Sequence, residues 1–80
     1  MCNCSKEVTQ NECANLRKKA NDPLKRFFIY HIFDDERGLR IAHVPSGKNP
    51  NVIAHERGFY NENNQLEWYN VHEHPCLRNE

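Results

Sequence analysis

Seven consecutive residues, Phe27-Phe28-Ile29-Tyr30-His31-Ile32-Phe33, constrain this chain more than any other feature. Aromatic and β-branched residues favour a strand, and successive side chains of a strand leave opposite faces. Phe27, Ile29 and Phe33 therefore point one way, and Phe28, Tyr30 and Ile32 the other. A strand that is apolar on both faces needs cover on both, so this run is read as a central strand. His31, set among Ile29, Ile32 and Phe33, is read as a half-buried residue with a backbone partner. The chain has 80 residues, enough for one domain. Size scaling leaves only about 63% of its unfolded surface buried, so few elements are available to cover that strand.

Upstream, Thr9-Gln10-Asn11-Glu12 is a capping box, with Val8 and Cys13 at the positions of a hydrophobic staple. A helix is expected from there to about Ala20, its apolar stripe formed by Cys13, Leu16 and Ala20. Arg17, Lys18 and Lys19 suit its C-terminal dipole, and Asn21-Asp22-Pro23 ends it. Downstream, Asp34 to Gly38 reads as a hairpin turn and Leu39 to Val44 as the second strand. After a loop at Pro45–Pro50, Asn51–Tyr60 is read as a third strand with Gly58 at a bulge, and Leu66–Val71 as a fourth. Short sequential connections favour a meander. The expected fold is α+β, an N-terminal helix packed on a four-stranded antiparallel meander sheet. Residues 1–80 form a single small globular domain, with 1–8 and 73–80 as loose tails. Phe28, Tyr30, Ile32, Leu39, Ile41 and Leu16 are expected to share one core between helix and sheet.

The mean hydropathy of −0.96 and the lack of a long apolar run exclude a membrane span. Net charge is zero, against wholesale nucleic-acid binding, but the charge is uneven. Residues 1–48 carry nine Lys and Arg against six Asp and Glu, while residues 49–80 carry two against five. The basic residues Arg17, Lys18, Lys19, Lys25 and Arg26 lie next to the Phe27–Tyr30 aromatics. Cations beside stacking surfaces are what single-stranded nucleic acid uses, so this segment is a candidate nucleic-acid site. Ser46-Gly47-Lys48 offers a hydroxyl, a flexible backbone and a cation to a phosphate, without the frame of a P-loop.

The four cysteines are Cys2, Cys4, Cys13 and Cys76. With Met1 at the start and no export segment, reduced thiols and a cytoplasmic location are expected. Cys2-x-Cys4 at one end and His72-x-His74-x-Cys76 at the other supply five candidate zinc ligands for a tetrahedral site. Their spacing departs from the C-x₂-C of zinc knuckles, so no cofactor is expected unless these ends converge. His31, His43 and His55 lie on expected strands, where His55 and His72 are placed to face each other across neighbours. Asp34-Asp35-Glu36 gathers carboxylates that a turn also favours for local hydrogen bonding. No phosphate-binding glycine loop, H-E-x-x-H or G-x-S-x-G occurs.

One helix covers one face of a sheet, and the other face keeps its aromatics. Trp68, Tyr69, Phe59 and Tyr60 are the candidate interface, since uncovered apolar surface marks association and two-fold dimers are the commonest oligomers. The sequence thus points first to a small non-catalytic cytoplasmic protein acting through protein–protein contacts. Its partners are itself, as a homodimer, and a further unidentified protein. Its size is that of accessory proteins of phages and mobile elements. The alternative is a nucleic-acid-binding module using segment 17–26, and the third reading is a zinc-stabilised domain.

Overall fold

A computed structural model describes residues 10–32 and 38–74; the side chain of Gln10 is outside the description. Helix α1 spans Gln10–Ala20, and strands β1 and β2 span Phe27–Ile32 and Leu39–Val44. Helix α2 spans Pro50–Arg57. A two-residue strand β3, Tyr69–Asn70, runs into a 3-10 turn at Val71–Glu73. The fold is α+β with a three-stranded antiparallel sheet in the order β2-β1-β3.

β1 is the central strand, as its two apolar faces require. It pairs with β2 from Phe27↔Val44 to Ile32↔Leu39, and with β3 through Ile29↔Asn70 and Tyr30↔Tyr69. Each face has its own core. On one side Cys13 and Leu16 of α1 meet Phe28, Tyr30 and Val71, with Ala20, Ile32, Leu39 and Ile41 packed around them. The six residues expected between helix and sheet all belong to this cluster. On the other side Ile53 and Ala54 of α2 and Phe59 meet Ile29, Ala42 and Val44, flanked by Phe27, Leu66 and Trp68.

Two expected strands are corrected. Residues 51–60 hold α2, not a third meander strand. The Asn49 side chain accepts from the Asn51 amide, and Pro50 occupies the first turn. Gly58, at φ 74°, closes the helix in the left-handed conformation, its N–H shared between the carbonyls of Ala54 and His55. This is the N-terminal proline and C-terminal glycine asymmetry of helices, so Gly58 is a cap and not a bulge. Of the expected fourth strand, Tyr69–Asn70 pairs with β1, while Leu66 bridges back to Tyr60. The Asn70 side chain accepts from the His72 amide and turns the chain into the 3-10 turn. The sheet is therefore no meander: β3 crosses to the far side of β1.

The expected tails are shorter than read at one end. Glu73 belongs to the 3-10 turn, and His74 is buried. Residues 1–9 and 75–80, and with them Thr9 of the capping box, lie outside the described residues, as does Asp34-Asp35-Glu36. Cys13 is disulfide-bonded, which corrects the expectation of reduced thiols at this position; its partner lies outside the described residues. Among the described residues no helix is long and apolar enough to cross a membrane.

Candidate nucleic-acid interface

The Phe27↔Val44 pairing places the segment before β1 beside the segment after β2. Two stretches distant in sequence thereby face each other. Between them lies a cleft of about 310 Å³, lined by residues 24–27 on one side and by His43, Val44 and Ser46 on the other.

The segment before β1 is shaped by Asp22. This buried carboxylate accepts from the Leu24 amide at 2.8 Å and from Arg26 Nε and Nη2 at 2.9 and 2.7 Å. The Leu24 amide foremost, and then Arg26, hold its carboxyl below the usual 3.8, against the opposing effect of burial. The Lys25 amide donates to the Asp22 carbonyl at 2.9 Å, and Lys25, at the end of this turn, takes φ 56°. A left-handed conformation is costly for a residue with a Cβ. Lys25 is exposed at the lip of the cleft, and its ammonium has no ion-pair partner among the described residues.

The five basic candidates thus take different places. Lys25 and Arg26 line the cleft. The Arg26 charge is engaged by Asp22, and its guanidinium also lies 5.8 Å from the Phe28 ring centre. Lys19 lies over the same ring at 5.2 Å. Arg17 and Lys18 are exposed on α1. Rings gather at this end of the sheet too. His43 is half-buried and 5.3 Å from Phe28, and exposed His72 stacks on half-buried Phe27 at 6.4 Å. Across the cleft, Lys48 N–H donates to the Pro45 carbonyl at 3.0 Å, and Gly47 takes φ 84°. Sequence reasoning weighed Ser46-Gly47-Lys48 and the basic segment apart. The hairpin register was the signal that joins them.

The other candidates are dispersed. Phe59 is buried, and Tyr60 and Trp68 are half-buried. Trp68 Nε1 donates to Asn51 at 2.7 Å, and the Tyr60 hydroxyl bonds His55 Nδ1. Tyr69 alone of the expected interface is largely exposed, at 44%. His55 sits on α2, away from any strand. His72 lies against Phe27 and His74 against Tyr30 at 5.4 Å, side chains that leave opposite faces of β1. Cys2, Cys4 and Cys76 lie outside the described residues, and among the described ones no group of three His, Cys, Asp or Glu is placed to hold a metal.

His31 departs most from its sequence reading. It is fully buried, its ring stacked on Phe59 at 5.3 Å and 17°. Neither ring nitrogen makes a hydrogen bond to a described residue, and the Glu67 carboxylate stands 3.7 Å from Nε2. Comparison with protein-family models, with curated proteins and with solved structures finds no match for this chain.

Proposed function

We propose that this chain is a non-catalytic binding module for single-stranded nucleic acid, held at the end of the sheet where β1 starts and β2 ends. One observation carries the reading: Lys25 and Arg26 of the basic segment and Ser46 of the turn after β2 line one cleft, with Phe27 beside them. A cationic groove beside stacking rings is the common arrangement for single strands. The net charge is zero and Arg26 is already paired with Asp22, so of the two cations lining the cleft Lys25 is the one left to meet a phosphate. The protein–protein reading loses its main premise, since α2 and Phe59 occupy the sheet face that a second copy was expected to cover.

Fluorescence anisotropy with a labelled oligothymidylate tests this. Affinity is expected to fall with salt at a log–log slope of about −0.7 for each phosphate contacted. Lys25→Gly is the informative variant. Glycine accepts φ 56° without strain, so the fold is kept while the cation is lost. The variant should melt no lower than the parent and bind more weakly, with a shallower slope. No binding at about 50 mM salt, where electrostatic affinity is strong, rules the function out.

A further inference from the structure

We infer that the end of α2, with Phe59, is a latch on the second face of the sheet that acid opens, and that His31 beneath it is the trigger. The latch lies toward the end of β1, away from the cleft at the strand's start, and does not depend on nucleic-acid binding. It is built around one ring. His31 and Arg40 are direct partners across the β1–β2 pairing, and together they carry Phe59. The imidazole stacks on the Phe59 ring at 5.3 Å, and the Arg40 guanidinium lies 5.2 Å from its centre. Arg40 also holds the end of α2. Its Nη1 donates to the Arg57 carbonyl at 3.1 Å and its Nη2 to the Gly58 carbonyl at 2.9 Å. The Phe59 amide donates to the Ala54 carbonyl at 2.8 Å, and the Phe59 carbonyl accepts from the Glu67 amide at 2.9 Å.

Seated, the latch keeps His31 out of water. The charged groups that face the ring are Arg40 from β2 and the Glu67 carboxylate from the segment before β3; the end of α2 adds the Phe59 ring and the Tyr60 backbone. A proton on the closed ring would set a second cation directly opposite Arg40, which weakens a strand pair, in a site without water to solvate it. Glu67 offsets part of this. Its side chain is 31% exposed, however, and its Oε2 already accepts from the Tyr69 hydroxyl at 2.9 Å. Burial and Arg40 outweigh it, so the closed ring takes a proton less readily than an imidazole in water. Lifting Phe59 returns the imidazole to solvent, where it takes up the proton. Between pH 7.5 and 5 the opening equilibrium can rise by up to about thirty-fold, for an open-state imidazole of ordinary pKa ~6.5. What opens is the cover over Ile29, Ala42 and Val44, apolar residues that are buried while α2 is seated.

Amide hydrogen exchange of the full chain, corrected for the intrinsic pH dependence of exchange, tests this. The Phe59 and Glu67 amides should be less protected than the amides of β1, and their exchange should be insensitive to dilute urea, as a local opening that exposes little surface requires. Their protection should fall about tenfold or more from pH 7.5 to 5. In the parent, that fall should track the titration of the His31 ring signals in NMR, a readout that needs no variant. His31→Phe keeps the stack and should abolish the fall. Arg40→Met keeps packing on Phe59 without the charge; it should lower protection at Phe59 already at pH 7.5 and flatten its pH dependence. If the Phe59 and β1 amides share one protection and one urea dependence at pH 5, the acid effect is global unfolding and the latch is wrong. Protection at Phe59 that rises at pH 5 overturns it as well, because His31 would then pair with Glu67 in the closed form. A fall that persists in His31→Phe, or no fall in the parent, removes His31 as the trigger.

Discussion

His31 carries the sharpest consequence of a single residue. An imidazole without a described hydrogen-bond partner and out of water is costly to ionise. Burial, and then the nearby Arg40 charge, push its pKa below the ordinary 6.5, while Glu67 and the Tyr60 backbone offset part of this. The unfolded chain therefore takes a proton more readily than the folded one. The stability held by the neutral ring is intact above about pH 6.5 and drains away as pH falls below it. His31→Phe keeps the stack on Phe59 and removes the proton. Its melting temperature should drop less than the parent's between pH 7.5 and 5. Parallel drops in the two proteins would show that His31 ionises freely in the fold. The sequence located this residue on the central strand, but not that Phe59 closes over it.

At the scale of elements, α1 and α2 hold by different means. α1 is anchored by packing, through Leu16 and Cys13, both buried. Leu16→Ala should cost about 2–4 kcal/mol on denaturant melting, as core truncations do; a loss under about half a unit would mean that α1 does not depend on this contact. α2 has eight residues and leans on its ends. Asn49→Ala removes an N-cap and should cost about 1 kcal/mol. Gly58→Ala, at φ 74°, should cost about 1 kcal/mol or more for the left-handed backbone alone. Losses near zero in both would make α2 a passenger on the sheet. α1 and the β1–β2 hairpin were legible in sequence, because their apolar spacing repeats over a whole element. α2 was misread because Val52-Ile53-Ala54-His55 resembles a strand, and a helix of two turns is too short to display its period. Its caps, Asn49-Pro50 and Gly58, were the better evidence.

For the whole molecule, the decisive fact is that both faces of the sheet are covered within one chain. The area expected to drive a homodimer is occupied by α2 and Phe59, which leaves Tyr69 as the exposed member of that set. Light scattering at about 100 μM, well above the Kd of a stable interface, should therefore give a mass near 9.5 kDa; a mass twice that would restore the dimer. Cys13, buried in the α1 side of the core, is disulfide-bonded. Alkylating the unfolded, unreduced protein should label no more than two of its four cysteines. Reduction should lower stability by about 2–4 kcal/mol, and labelling of all four cysteines before reduction would remove the bond from the account.

The sequence by itself determined the local and periodic features. These are the helix at 10–20, the pairing of β1 with β2, the centrality of β1 and the composition of the α1 core, because each comes from spacing within one element or from two strands close in sequence. Tertiary structure decided what spacing does not encode. It brought β3 to the far edge of β1, laid α2 on the second face, shut His31 away from water and joined Lys25 to Ser46 across a cleft. Each of these depends on which distant segment gains most by covering β1, a comparison of burial over the whole chain that no local pattern records.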